Sequence, residues 1–193
     1  MDNQINIPKP IKKFTKEHPL QELLKFAAIA ILIVIPIRIF IAQPFIVNGN
    51  SMVPTFQDGN YLIVDEISYR FEEPERGDVI IFRYPNDPSK FFIKRVIGLP
   101  SETIRIDGSK VFIKNEKTPD GEELYEPYVV YPSENHMEVK LTDDQYFVMG
   151  DNRSQSSDSR TWGPMPKKFL VGQAFIRLLP FSELGYLPGS IKP

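Results

Sequence analysis

Few groups in this sequence can act as a nucleophile or a base at neutral pH. There is no Cys among the 193 residues, so a thiolate nucleophile, a thiolate zinc site and disulfide stapling are excluded. Only His18 and His136 carry an imidazole. His136 stands in the polar stretch Ser133-Glu134-Asn135-His136-Met137, which reads as a solvated loop, so a Ser-His-Asp triad has little support. The same scarcity of nitrogen and sulfur ligands argues against the usual metal sites and leaves open only a carboxylate calcium site. What remains is a Ser or Thr activated by Lys.

Two places fit that chemistry. Asn48-Gly49-Asn50-Ser51-Met52-Val53-Pro54-Thr55-Phe56 sets a Ser in a Gly/Asn-flanked turn that a Pro then stiffens. Phe91-Phe92-Ile93-Lys94-Arg95-Val96-Ile97-Gly98 sets two adjacent cations inside an apolar strand. Alternation along a strand places Phe92, Lys94 and Val96 on one face and Phe91, Ile93, Arg95 and Ile97 on the other. Whichever face is buried, one cation is surrounded by hydrocarbon, and the pattern leaves open which. A long cationic side chain can also cover apolar surface while its charge reaches water. Chemistry favours Lys as the functional one, since Arg keeps its proton in a protein whereas a desolvated Lys can become a neutral base. Near its reference pKa of ~10.4, roughly one Lys in a thousand is neutral at pH 7.5, and a fall of ~2–3 units costs about 3–4 kcal/mol. A partly water-excluded apolar site can supply such a shift.

The elements that must position these residues are short strands. NYLIVDEI (60–67), DVIIFRY (78–84), FFIKRVIG (91–98), TIRID (103–107), KVFIK (110–114), QYFVM (145–149) and the segment 169–179 are β-branched or aromatic runs bounded by turn residues. They predict one mainly β domain without internal repeats, carrying a polar excursion over 115–143. Ahead of it, the apolar residues of 26–42 run for 17 residues with Arg38 near their outer end, the short limit for a spanning helix. Lys9, Lys12, Lys13, Lys16 and Lys25 precede this stretch, and after Arg38 no cation appears until Arg70. That asymmetry predicts a cytoplasmic tail over 1–25, a transmembrane anchor over 26–43 and an extracytoplasmic β-rich domain over 44–193. A buried core helix or a cleavable export signal is the alternative, but no small-x-small cleavage pattern follows the apolar run. With 23 Lys+Arg against 25 Asp+Glu, the chain has no basic stripe suited to nucleic acid.

Together these residues resemble the bacterial type I signal peptidases, membrane-anchored Ser/Lys proteases of peptidase family S26 that remove signal peptides from exported proteins. The likeness covers nearly the whole chain. The Ser-Met-x-Pro-Thr motif matches Ser51-Met52-Val53-Pro54-Thr55, and Arg-Gly-Asp-Val matches Arg76-Gly77-Asp78-Val79. The Lys motif matches Lys94-Arg95-Val96-Ile97-Gly98-Leu99-Pro100. The last, Gly-Asp-Asn-Arg-x-x-Ser-x-Asp-Ser-Arg, matches Gly150, Asp151, Asn152, Arg153, Ser156, Asp158, Ser159 and Arg160. Four motifs in order behind one anchor resemble the short, single-anchor members.

The resemblance implies a signal-peptidase-like β-rich catalytic domain at the bacterial plasma membrane. Ser51 would be the acylating nucleophile and Lys94 its general base. Ser156 would hydrogen-bond and orient the Lys amine, and Asp158 with Arg160 would form a supporting ion pair; Asp151, Asn152 and Arg153 would be structural. The oxyanion would be held by the Ser51 amide, with the Gly49 backbone or water as a second donor, because Gly49 replaces a Ser of some members. Pro100-Ser101-Glu102 stands where the family usually has Pro-Gly-Asp. Preproteins with signal peptides would be the substrates, small residues one and three positions before the scissile bond fitting shallow pockets walled by Val47, Met52, Phe92 and Ile93. Membrane lipid would be the other partner; no cofactor, metal or nucleic acid is expected. Two other classes stay in view. A self-cleaving Ser/Lys regulator would carry a DNA-binding helix pair instead of a lysine-flanked anchor, and a non-catalytic binding module would be expected to lack Ser51 or Lys94.

Overall fold

The computed structural model describes residues 19–40 and 42–191, and the chain divides into two units between Ile37 and Arg38. His18 and the lysines at 9, 12, 13 and 16 lie outside the described residues. Helix α1 (Pro19–Phe40) opens on a proline, which suits a first helical position because its missing N–H would have no partner there. Side chains along it are described from Leu20 to Ile33, and Leu20, Leu24, Phe26, Ile29, Leu32 and Ile33 are all exposed. Glu22 and Lys25 interrupt that stretch, and among the described residues no helix is long and apolar enough to cross a membrane. The segment 26–43 is not helical throughout: the helix ends at Phe40, and Ala42 and Gln43 open the first strand.

The second unit is built of strands β1 (Ala42–Ile46), β2 (Tyr61–Asp65), β3 (Val79–Tyr84), β4 (Asp87–Gly98), β5 (Thr103–Gly108), β6 (Lys110–Lys114), β7 (Glu122–Glu123), β8 (Asn135–Lys140) and β9 (Gln145–Met149). A short helix α2 (Ser159–Trp162) follows, then β10 (Met165–Pro166), β11 (Leu170–Leu179) and β12 (Gly185–Tyr186). One sheet runs β1-β2-β11-β3-β4-β9-β10 with β12 beside β11, and a second runs β7-β6-β5-β8. The 115–143 region is therefore more than an excursion, since β7 and β8 form both edges of the second sheet. Its polarity misleads because alternate residues of β8 face water: Met137 and Val139 pack on the core while His136, Glu138 and Lys140 are exposed.

Strands β3, β4 and β9 are covered on both faces. Val79 and Ile81 of β3 enter one core with Met52, Phe56, Leu62 and Val64, whereas Ile80 and Phe82 enter another with Val96, Tyr146 and Val148. Phe147 and Met149 of β9 join a third cluster with Ile97 of β4 and the second sheet. Lys94 and Arg95 lie on this doubly covered part of β4, so alternation buries both cations instead of one, at 4% and 0% exposure.

Candidate active site

Ser51 lies in the turn between β1 and β2. Asp58 Oδ1 accepts the Gly49 amide at 2.7 Å, Asn60 Oδ1 accepts the Gln57 amide at 3.1 Å, and the Phe56 amide donates to the Met52 carbonyl at 2.9 Å. Gly49 adopts φ 89°, the left-handed region that favours glycine. Met52 and Phe56 anchor the turn in the core at 0% exposure, which leaves Ser51 half-buried between them and the exposed Asn50. Asn152 holds the same turn from across the fold, its amide donating to the Ser51 carbonyl at 3.0 Å and its Nδ2 to the Asn50 carbonyl at 3.1 Å.

Lys94 reaches this turn from β4, whose Nζ lies 2.7 Å from Ser51 Oγ and donates to the Ile93 carbonyl at 2.9 Å. The amine is also 5.3 Å from the centre of the Phe92 ring. Burial brings its pKa down to about 8, partly offset by the negative charges of Asp158 and Asp151. At pH 7 that leaves roughly a tenth of the amines neutral, against about three in ten thousand at the ordinary value. A hydroxyl within hydrogen-bond reach of such an amine can lose its proton to it and attack a carbonyl. Among the described residues the Ser51 amide has no acceptor, so it is free to hold a developing oxyanion.

The next residue along β4 locks this arrangement. Arg95 is paired at both ends with Asp151, Nε to Oδ1 at 2.8 Å and Nη2 to Oδ2 at 2.6 Å, and its guanidinium lies 3.9 Å from the Tyr128 ring centre. Thr55 Oγ1 donates to Asp151 Oδ2 at 2.5 Å, so one carboxylate ties the Ser51 turn to the strand that carries Lys94. Asp158 accepts Arg160 Nη2 and Nε, each at 2.8 Å, and the Gly150 amide at 3.0 Å. Burial alone would raise the Asp158 carboxyl, but the Arg160 guanidinium and the Gly150 amide hold it below the usual carboxylate range.

Several sequence expectations change here. Ser156 Oγ is buried beside the Asp158 carboxylate, too poorly aligned for a full hydrogen bond but close enough to help hold that carboxyl low, and it does not bond Lys94, whose amine is turned toward Ser51 and the Ile93 carbonyl. Instead Ser156 packs on Gly150, where a Cβ would overlap both the Ser156 hydroxyl and the Ser51 carbonyl. The Gly49 amide is committed to Asp58, which removes it as the second oxyanion donor. Val47, Phe92 and Ile93 line a cleft of about 570 Å³ beside Ser51 and Lys94, but Met52 faces the core and not the cleft. Phe45, Leu62 and Ile81 complete its apolar wall, and Phe45 meets Phe91 edge-on at 5.3 Å. Phe45 could have been found from its two-residue spacing before Val47; Leu62 and Ile81 arrive through sheet topology, which spacing does not reveal. Ser101 takes φ 67°, a left-handed conformation that favours glycine, and Glu102 closes that turn by accepting the Leu99 amide at 2.8 Å and Arg76 Nη2 at 2.6 Å. His136 is exposed on β8 beside Asp107. Among the described residues no cluster of His, Cys, Asp or Glu is suited to a metal ion.

The family model for signal peptidase, peptidase S26, matches residues 20–179. The probable signal peptidase I-2 of a Synechocystis species is 38% identical over 183 residues, covering 91% of this chain and 81% of that protein. Signal peptidase I of Leptolyngbya laminosa is 37% identical, with 89% of this chain and 85% of that protein aligned. Signal peptidase I P of Bacillus subtilis subsp. natto is 35% identical, with 90% and 96% aligned. This chain belongs to the signal peptidase family, peptidase S26, and is a serine endopeptidase.

Proposed function

We propose that this protein is a membrane-bound endopeptidase that removes signal peptides from exported preproteins through a Ser51–Lys94 dyad and an acyl-enzyme. The observation that carries this is the 2.7 Å contact between Lys94 Nζ and Ser51 Oγ, with the amine at 4% exposure. Neutral Lys94 takes the Ser51 proton as Oγ attacks the scissile carbonyl, and the Ser51 amide receives the oxyanion. The lysine ammonium then gives its proton to the leaving amine, and the regenerated neutral Lys94 activates the water that releases the acyl group. Asp158 with Arg160 braces the Gly150 end of the loop. The preprotein lies extended in the apolar cleft between β1 and β4, main chain against strand, with small side chains facing its wall.

The anchor is the apolar helical segment 26–40, with a cytoplasmic tail before it and the catalytic unit outside. A helix that exposes this many large apolar side chains calls for an apolar medium, and the flanking lysines set its direction. Anchoring raises the effective concentration of enzyme beside a substrate that also crosses the bilayer. The presence of both dyad residues speaks against a non-catalytic module. The test is cleavage of a preprotein by purified full-length protein in detergent, with product masses measured. Cleavage after a small residue, lost in Ser51→Ala and in Lys94→Ala while folding is kept, is the expected result; substantial activity in either variant rejects the dyad.

A further inference from the structure

Residues 187–191, more than 90 positions from Arg95, form a turn that reaches the back of the dyad. The Ser190 amide donates to the Leu187 carbonyl at 3.1 Å, and the Leu187 amide to the Phe175 carbonyl at 2.7 Å, which pins the turn to β11. Its Gly189 carbonyl accepts a hydrogen bond from Arg95 Nη1, which donates to the Gly77 carbonyl at 2.8 Å as well. With Asp151 taking Nε and Nη2, four of the five guanidinium donors of a fully buried Arg are satisfied, and Gly189 supplies one of the acceptors.

The same glycine touches the nucleophile side. Gly189 has φ 79°, and a Cβ there would overlap Thr55 Cγ2, while Phe56 and Val79 carbons would sit at 3.4 Å. A Cβ on the facing Gly77, which has φ 91°, would overlap the Ile191 carbonyl. Backbone without side chains is therefore required on both sides of this junction. The turn is wedged between Thr55, four residues after Ser51, and Arg95, next to Lys94.

We infer that the Gly189 turn is a positioning element for the reaction: it sets the spacing of Ser51 and Lys94 by bearing on Thr55 and Arg95 together. It lies outside the substrate cleft, so it acts on the chemical step and not on binding. This rests on the Ser51–Lys94 reading above for its catalytic consequence, though its geometric consequence does not.

The experiment compares wild type, Gly189→Ala, Thr55→Ser and Gly189→Ala/Thr55→Ser as full-length proteins in detergent. Thr55→Ser deletes the methyl that the new Cβ would meet and keeps the hydroxyl that bonds Asp151. Preprotein cleavage gives kcat and KM, and the Lys94 amine is titrated by carbon NMR of labelled lysine, its signal assigned by loss in Lys94→Met. Gly189→Ala is expected to lower kcat roughly 10- to 100-fold at unchanged KM. Its Lys94 midpoint should move up from about 8 as water reaches the loosened pair. The double variant keeps the left-handed strain of alanine but loses the clash, so it should recover a clear part of both effects. An unmoved Lys94 midpoint in Gly189→Ala, or equal damage in the single and double variants, overturns the inference. Should Gly189→Ala fail to fold, a folded double variant with a near-normal midpoint supports it, and failure of the double to fold overturns it. If the dyad reading alone is wrong, wild type shows no Ser51-dependent cleavage while the Lys94 titration still responds to Gly189→Ala.

Discussion

Replacing Lys94 with methionine should make the protein more stable as it destroys activity. The native amine titrates near pH 8, against 10.5 for the ordinary side chain, and burial is the main cause. At 1.36 kcal/mol per unit, keeping the amine charged in the folded protein costs about 3 kcal/mol. Methionine removes that cost and fills similar volume. It also leaves Ser51 Oγ and the Ile93 carbonyl without their donor, a loss of about 1 kcal/mol. The expected gain is therefore about 2 kcal/mol at pH 7. Its pH dependence follows from proton counting. Below pH 8 native and unfolded wild type both hold the proton, so the full cost is present. Between 8 and 10.5 the unfolded chain holds more protons than the native one, so wild-type stability rises with pH. The advantage of Lys94→Met should thus shrink above pH 8, vanish at pH ~9.5 and turn into a deficit of about 1 kcal/mol by 10.5, where only the lost hydrogen bonds count. Guanidinium unfolding in detergent can follow the emission of Trp162, the only tryptophan, which sits 5.9 Å from the Phe82 ring and 5.8 Å from Tyr84. A variant no more stable than wild type at pH 7, or a difference that stays constant from pH 7 to 10, would refute a desolvated Lys94.

Other outcomes follow from the same geometry. The kcat/KM for preprotein cleavage should climb about tenfold per pH unit below the Lys94 midpoint near 8 and level off above it, as a rate profile at constant ionic strength will show. Gly150→Ala should lower kcat by about 100-fold, since its Cβ overlaps the Ser51 carbonyl and Ser156 and must push the Ser51 turn away from Lys94; single-turnover cleavage reads this. Ser101→Gly relieves a left-handed φ of 67° and should stabilise the fold by up to about 1 kcal/mol, after the extra freedom of glycine in the unfolded chain is subtracted, with cleavage unaltered. Denaturant midpoints of the two proteins measure it.

Much of the molecule is legible from local pattern. The seven principal runs of β-branched and aromatic residues become strands within a few positions of their expected limits, because each is a short run bounded by turn residues, alternating where one face is solvated and continuously apolar where, as in β3 and β9, both faces are covered. Short or polar strands escaped: β7 and β10 are two residues each, and β8 is polar on its outer face. The first two residues of β1, Ala42 and Gln43, fall inside the segment that reads as an anchor, since hydrophobicity alone does not distinguish the last turn of a helix from the first residues of a strand.

The chemical repertoire was decided by composition: no cysteine, two histidines, and a lysine embedded among apolar residues leave little besides Ser/Lys catalysis. Which groups meet was decided by the tertiary structure. A strand pattern says that one of two neighbouring cations is inside, but only two packed layers on either side of β4 bury both, and only Asp151, 56 residues away, neutralises Arg95. Likewise, nothing in the order of residues tells that Asp58 occupies the Gly49 amide, that Ser156 turns toward Gly150, or that Met52 points inward. Side-chain types and periodicity are properties of a stretch of chain, whereas desolvation and hydrogen-bond partnership depend on which distant stretches the sheets bring together.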